Sequence, residues 1–265
     1  MRIKLGISPC PNDTFMFYHL LNSHRFNSDL TMGDVEELNH KVLHHELDIS
    51  KVSFYTAMQV MDHYALLDVG ATLGKSCGPL LVARRNKSVK KLKDAKIGIP
   101  GRHTTAHLLF SLYAKNTGQK EFMPFNRIML AVEQGLVDFG VIIHEGRFTY
   151  PHYGLTEVVD LGKWWEELSK MPLPLGGIIA RRKIQDECIK EFTQALRDSI
   201  SRAFSEREDH NAPMYCFIRE HAQEMDMEVI KKHINLYVTD YSLSLGEVGR
   251  SAIEKLFSMA KEYKL

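Results

Sequence analysis

Residues 176–182 read GGIIARR, and this run repeats the pattern of residues 78–85, which read GPLLVARR. Each segment is an apolar run that ends in a basic pair, which is typical of a buried strand that reaches the surface. The first strand would leave one lobe and the second would return to it. We therefore predict an inserted lobe at residues 87–177, and a discontinuous first lobe at residues 1–86 and 178–265.

Strands and helices alternate on both sides of the first basic pair. Predicted strands cover residues 2–7, 30–35, 48–52, 66–71, 79–84, 96–99, 122–125, 139–143 and 157–161, and predicted helices cover 14–21, 36–47, 53–61, 106–115, 127–134 and 163–170. From residue 184 onward, apolar stripes at helical spacing predict helices only. This order predicts an α/β fold of two lobes, with a mixed or mostly parallel sheet and a cleft between the lobes as the default ligand site.

Composition excludes several classes of function. The 265 residues carry 34 Lys and Arg against 33 Asp and Glu, so the chain lacks the basic field that a nucleic-acid binder needs. No apolar run approaches the roughly 18–20 residues that span a bilayer, and the N-terminal apolar stretch is too short for a secretory signal. The cysteines, Cys10, Cys77, Cys188 and Cys216, are far apart, which disfavours a disulfide framework or zinc site and suits the cytoplasm.

Hydroxyl side chains follow several predicted strands at the point where a helix begins. They occur in the run 8–14 (SPCPNDT), at Ser53 and at Thr104-Thr105, and in the first run Asn12, Asp13 or Thr14 could cap the helix. Helix N-termini bind carboxylate or phosphate groups through free N–H groups and the helix dipole. We expect these starts to form a cradle for a small anion; the alternative is that each residue is only an N-cap.

His144 directly follows the very apolar predicted strand at residues 139–143. That position places an imidazole at the carboxyl end of a second-lobe strand, where ligands of open α/β sheets bind. Histidine titrates near neutral pH and suits general-base work. The alternative is a histidine that only satisfies a nearby backbone carbonyl.

Two other patterns predict no site. Residues 70–76 (GATLGKS) resemble a phosphate-binding loop, but three residues separate the glycines instead of four, and a strand follows instead of a helix. Glu36, His40 and His44 share one side of a predicted helix and could chelate a metal, although a solvated helix face is the simpler interpretation.

Several motifs together resemble one enzyme family, and they occur in order along nearly the whole chain. They are SPCPNDTF at residues 8–15, PGRHTTA at 100–106, IHEGRFTY at 143–150, DLGKWWE at 160–166 and LPLGG at 173–177. These segments resemble the 1,4-dihydroxy-6-naphthoate synthase family.

The resemblance implies a type II periplasmic-binding-protein-like fold and a lyase reaction in the futalosine route to menaquinone. The substrate would be cyclic dehypoxanthinylfutalosine, a carboxylate, and neither a metal nor an organic cofactor is expected. The implied site residues are His144 as the proton-abstracting base and Lys51, Val52, Ser53, Thr104 and Thr105 as substrate contacts, with Asn39 as a secondary candidate. The resemblance leaves open whether Asp13, His103, Glu145 and Arg147 assist the reaction or only hold loops.

Two other functions fit the same architecture. A solute-binding protein would capture a small anion without chemistry, and chorismate dehydratase is a related enzyme of the same pathway. The absence of a recognisable signal peptide and the placement of His144 argue against the first. The segments around His144 and Ser8 argue against the second, and the sequence does not determine the oligomeric state.

Overall fold

The computed structural model describes residues 2–23, 26–85, 88–115, 117–209, 211–223 and 226–263. The chain divides into two compact units, one made of Met1–Gly74 and Pro174–Arg250, the other of Lys75–Leu173 and Ser251–Leu265. The predicted lobe boundary between residues 86 and 87 lies outside the described residues, so the lobe limits stay a prediction.

The first unit is built on a mixed sheet. Its strands are β1 (Ile3–Ile7), β2 (Ser28–Met32), β3 (Ile49–Ser53), β4 (Tyr64–Leu66), β5 (Thr72–Gly74) and β11 (Leu173–Arg181). The order is β2-β1-β3-β11-β4, and β5 also pairs with β11. Because β1, β2 and β3 are parallel, their carboxyl ends lie at one edge, whereas β11 runs antiparallel to β3.

Helices pack around this sheet. They are α1 (Pro11–Asn22), α2 (Val35–Leu43), α3 (Phe54–Gln59), α8 (Asp186–Ser205), α9 (Pro213–His221), α10 (Met227–Tyr237) and α11 (Asp240–Leu243). The last helix, α12 (Gly246–Glu262), begins in the first unit, and most of it belongs to the second. The prediction of helices alone after residue 184 is confirmed for the described residues. Helix α1 packs on α8, where the rings of Phe17 and Phe192 lie 6.5 Å apart and Ser199 Oγ donates to the carbonyl of Met16.

The second unit has a five-stranded sheet in the order β10-β6-β9-β7-β8. Its elements are β6 (Leu80–Arg84), β7 (Lys96–Ile99), α4 (Thr105–Tyr113), β8 (Gln119–Phe122), α5 (Phe125–Glu133), β9 (Phe139–Ile142), α6 (Gly146–Thr149), β10 (Leu155–Asp160) and α7 (Leu161–Ser169), with 3₁₀ turns at Val89–Asp94 and Tyr150–Tyr153. Strands β7, β8 and β9 are parallel, so the segments after β7 and β9 leave the same edge of the sheet.

Several sequence predictions differ from the structure; the strand predicted at residues 30–35, for example, lies at Ser28–Met32. Residues 67–71 connect β4 to β5 and form no strand, because Gly70 turns the chain with φ +74°. The strand predicted at residues 122–125 lies at Gln119–Phe122. Helix α1 begins at Pro11 and not at Thr14, since proline is already suited to the first helical position.

The described helices include none that is both long and apolar enough to cross a membrane. The cysteines, all of which lie within the described residues, form no disulfide bond.

Gly78 and Gly162 bring two backbones together within the second unit. A Cβ atom built on Gly78 would lie 2.3 Å from Gly162 Cα, and one built on Gly162 would lie 2.7 Å from Gly78 N. Both contacts are with backbone, which cannot move aside as the end of a side chain can. The start of α7 therefore requires glycine at both positions.

We predict that Gly162→Ala lowers the free energy of unfolding by about 3 kcal/mol, as overpacking at a rigid contact does. Gly98→Ala is the matched control, because a Cβ there meets its nearest atoms at 3.5 Å, an ordinary contact. Urea unfolding of both variants measures the difference. Equal stability of the two variants would contradict the backbone contact.

Candidate functional site

The loop after β1 leads directly into α1, and its polar residues do not act as the predicted N-caps. The N-cap is Cys10, which makes no side-chain capping bond, so Asn12, Asp13 and Thr14 all fall within the first turn. Thr14 Oγ1 donates to the carbonyl of Cys10 at 3.0 Å. The prediction that one of these three residues caps α1 is therefore wrong, because Pro11 starts the helix earlier.

The Asp13 carboxylate is completely buried and accepts hydrogen bonds on both oxygens. Oδ2 accepts from the Ser8 hydroxyl at 2.7 Å and from the Ser8 backbone N–H at 3.3 Å. Oδ1 accepts from Asn12 Nδ2 at 2.7 Å and lies 3.2 Å from Lys51 Nζ. Asp13 thus holds the loop after β1 to the carboxyl end of β3.

Lys51, a predicted substrate contact, is buried and its ammonium group faces three protein acceptors. Besides Asp13, Nζ donates to the carbonyl of Gly70 at 2.9 Å and to Thr72 Oγ1 at 2.7 Å. An ammonium group has three hydrogens, and the protein supplies an acceptor for each. These bonds favour a supporting role for Lys51, and direct contact with a ligand stays a prediction.

The same network reaches the helices after β11. The fully buried His233 of α10 has Nε2 3.0 Å from Asn12 Oδ1. Because the Asn12 amide nitrogen donates to Asp13, its oxygen is the acceptor, and His233 Nε2 carries the hydrogen. This link between α10 and the first turn of α1 is not visible in the sequence, since 221 residues separate the two side chains.

Val52 and Ser53, also predicted substrate contacts, complete β3. Val52 is buried and pairs with Gly177 of β11. Ser53 stands at the N-cap of α3 without making a side-chain capping bond. Its backbone N–H instead donates to Asn39 Oδ1 at 3.0 Å, and Asn39 Nδ2 donates to Ser53 Oγ at 3.2 Å.

Thr104 and Thr105 start helix α4 in the second unit. Thr104 is the N-cap: its Oγ1 accepts from the backbone N–H of His107 at 3.1 Å and donates to the carbonyl of Gly101 at 3.0 Å. Thr105 is the first residue of the helix and is buried, and His103 before the cap is half-buried. The sequence offered capping as the alternative to ligand binding for this residue, and the structure confirms that Thr104 is an N-cap.

His107 fastens the loop that carries these threonines. Its Nδ1 lies 2.7 Å from the carbonyl oxygen of Arg102, and its ring meets the edge of Phe122 with centroids 5.1 Å apart. Burial lowers the pKa of His107 to about 4, and the nearby charge of Lys120 acts in the same direction. Neutral His107 therefore donates from Nδ1 to the loop.

His144 lies just beyond β9, as predicted, and its backbone adopts a left-handed conformation with φ +54°. Such a conformation is uncommon for a residue with a side chain and costs about 1 kcal/mol. The ring is half-buried and meets the ring of Phe125 at a centroid distance of 4.9 Å.

Arg147 fixes the segment that follows His144. Its backbone N–H donates to the carbonyl of His144 at 3.3 Å. Its guanidinium donates to the carbonyl of Gly78 at 2.7 Å and to the Asp160 carboxylate. Asp160 Oδ1 in turn caps α7 through the N–H groups of Gly162 and Lys163. These contacts give Arg147 a structural role.

Glu145 also has a helical role through its backbone. It precedes α6, and its carbonyl accepts from the N–H groups of Phe148 and Thr149 at 2.8 and 3.2 Å.

On α2, Glu36 Oε1 and His40 Nε2 lie 3.6 Å apart, but His44 Nδ1 bonds the carbonyl of His40. The third predicted ligand of the metal alternative therefore faces its own helix.

We predict that Lys51→Met lowers the free energy of unfolding by about 3–5 kcal/mol, because it leaves the Asp13 charge buried without its cation. The double variant Lys51→Met/Asp13→Asn should recover part of this loss. Arg2→Met is the control, since its ion pair with Asp29 is exposed on both sides and pairs of that kind contribute about 1 kcal/mol or less. Urea unfolding measures all variants, and additive losses in the double variant would contradict the coupling.

The lowered pKa of His107 predicts a pH dependence. Between pH 6.5 and about 4 the unfolded chain protonates this ring while the folded protein does not, so stability falls as pH falls through that window. The loss from His107 should approach about 1.4 kcal/mol per pH unit and level off below pH 4. Urea unfolding of wild type and His107→Gln at pH 7 and 4.5 isolates this contribution. Parallel losses in both proteins would show that His107 does not titrate this way.

Comparison with known proteins gives matches along the whole chain. A family model described as menaquinone biosynthesis matches residues 3–262. A Thermus thermophilus protein named 1,4-dihydroxy-6-naphthoate synthase is 44% identical over 263 residues, covering 98% of this chain and 94% of its own length. A Streptomyces coelicolor protein of the same name is 39% identical and covers 97% and 92%.

Solved structures show the same fold. A crystal structure of a protein from Archaeoglobus fulgidus has a TM-score of 0.92 at 33% identity, covering 99% of this chain and 98% of that one. The periplasmic aliphatic sulphonate binding protein of Escherichia coli has a TM-score of 0.68 at 14% identity, covering 99% and 87%. The predicted periplasmic-binding-protein-like α/β fold is therefore confirmed, and the chain belongs to the menaquinone-biosynthesis family that contains the enzymes named 1,4-dihydroxy-6-naphthoate synthase.

Proposed function

We propose that this protein is a carbon–carbon lyase that converts cyclic dehypoxanthinylfutalosine to 1,4-dihydroxy-6-naphthoate in menaquinone biosynthesis. The observation that carries the proposal is the similarity to relatives of that name over nearly the full length of both chains. The motifs around Ser8, Thr104 and His144 all fall at the carboxyl ends of strands, where this fold binds ligands. A biosynthetic enzyme of this kind would act in the cytoplasm.

His144 is proposed as the general base. A neutral imidazole takes a proton from a carbon of the sugar-derived part of the substrate, and the electron pair of that C–H bond starts the elimination that releases the naphthoate. The left-handed backbone of His144 supports a role beyond packing, because unusual conformations concentrate at functional sites. Phe125 and the Arg147 anchor hold the ring and its segment.

Ser53, Thr104 and Thr105 are proposed to bind the carboxylate-bearing substrate. Ser53 supports this role best, since its hydroxyl makes no capping bond. Lys51 and Val52 are proposed to fix the segment that carries Ser53, and Asp13 acts through Lys51. Thr104 Oγ1 already donates its hydrogen to Gly101, so its remaining lone pair can only accept a hydrogen bond, for example from a substrate hydroxyl.

We expect His144→Ala and His144→Asn to lower kcat by about 10²–10⁴-fold while substrate still binds, since general-base catalysis supplies that factor. The assay incubates purified protein with cyclic dehypoxanthinylfutalosine and follows naphthoate by its ultraviolet spectrum. His152→Ala is the matched control, because this exposed histidine lies in the same unit and carries no proposed role. Full turnover in both His144 variants would remove this residue from the mechanism.

The same assay separates the other functions. Wild-type protein that binds the substrate without releasing naphthoate would favour a solute-binding protein, whose fold the sulphonate-binding relatives share. Conversion of chorismate to an enolpyruvyl benzoate would favour chorismate dehydratase. Either result would overturn the proposed function.

A further inference from the structure

Ser53 differs from several other N-cap residues of this protein in how its side chain is used. Its backbone angles, φ −65° and ψ 145°, are those of an ordinary N-cap, yet its hydroxyl accepts no hydrogen bond from the helix it precedes. Asp34, Thr104 and Asp226, at the starts of other helices, each accept such a bond. The Ser53 hydroxyl is thus not used for capping.

The buried side chain of Asn39 determines how the Ser53 hydroxyl is oriented. The backbone N–H of Ser53 can only donate, so the Asn39 atom that faces it at 3.0 Å must be the amide oxygen. The amide nitrogen then faces Ser53 Oγ at 3.2 Å and donates to it. A second bond, from Asn39 Nδ2 to Glu36 Oε2 at 3.2 Å, fixes the same orientation.

One consequence concerns the hydroxyl hydrogen. Because Ser53 Oγ accepts from Asn39, its own hydrogen must point away from the amide. Among the described parts of the chain, Ser53 Oγ donates to no protein acceptor. A hydroxyl that is buried and oriented in this way presents a donor to whatever binds beside it, and a donor without an acceptor is costly to bury.

We propose that Asn39 is a positioning residue that makes Ser53 an obligate hydrogen-bond donor to an oxygen of the substrate. The inference rests on the proposed function, because it takes Ser53 as a substrate contact. It adds that the group at Ser53 is an acceptor, such as a carboxylate or carbonyl oxygen, and that Asn39 acts through Ser53 without touching the substrate itself.

Asn39→Ala and Ser53→Ala test the coupling. A hydrogen bond to a charged acceptor corresponds to a factor of roughly 10–100, so Ser53→Ala should raise KM by about that factor with a small change in kcat. Asn39→Ala should raise KM in the same direction, and the double variant should be no worse than Ser53→Ala alone. Asn22→Ala, at an exposed position of α1, is the control and should leave KM unchanged.

Asn39→Asp tests the orientation. An aspartate keeps the acceptor for the Ser53 N–H but replaces the amide nitrogen with a second acceptor, so the hydroxyl would turn inward and donate to it. KM should rise at least as much as in Ser53→Ala. In the Ser53→Ala background the same change should have a much smaller effect, because only the added charge remains.

The outcomes distinguish the two levels of the proposal. If wild type releases no naphthoate, the proposed function fails. If wild type is active but the Asn39 and Ser53 effects on KM multiply independently, or Asn39→Asp acts equally in both backgrounds, the orienting role of Asn39 is wrong. An unchanged KM in an Asn39→Ala variant whose unfolding shows only lost stability would also overturn it.

Discussion

The buried pair of Lys51 and Asp13 is the contact on which the sequence-distant parts of the first unit depend. Burying two charges costs several kcal/mol unless further hydrogen bonds satisfy both groups. Here Ser8 and Asn12 complete the carboxylate, and Gly70 and Thr72 complete the ammonium. The pair therefore joins the loop after β1, the end of β3 and the turn before β5 in one network, and its geometry fixes where Ser53 lies.

Hydroxyl residues at helix starts serve different purposes in this protein, although the sequence presents them alike. Thr14 donates to its own turn, and Thr104 is both donor and acceptor within its loop. Ser53 makes no capping bond, and Asn39 instead bonds both its N–H and its Oγ. Residue type and position suggest a ligand-binding role for all of them. Only the hydrogen bonds of each hydroxyl in the folded protein separate one that donates to the protein from one whose hydrogen is left for a ligand.

The sequence predicts the order of elements well where apolar runs are short and bounded by turns. The strand at residues 96–99 has the predicted limits, and the helical chain after residue 184 follows from its apolar stripes. The strand predicted at residues 66–71 rests on the apolar residues Leu67, Val69 and Ala71. These side chains are buried, but they lie in the connection between β4 and β5, where Gly70 turns the chain.

Side-chain partners that are distant in sequence could not be predicted in the same way. Asp13 and Lys51 are 38 positions apart, and His233 and Asn12 are 221 apart; only the folded sheet and helices bring them together. The motif containing Asp160 was visible as part of the family resemblance, but its bond to Arg147 was not.

The proposed base and the proposed donor are supported in the same way by different neighbours. Arg147 donates through its guanidinium to Gly78 and Asp160, and this anchors the segment that follows His144. Asn39 likewise donates to Ser53 Oγ, so the hydroxyl hydrogen of Ser53 points away from the amide. In both cases the protein holds a supporting residue in place, and we propose that this residue positions the side chain that acts on the substrate. Substitution of a supporting residue should therefore change how its partner works before it changes the fold.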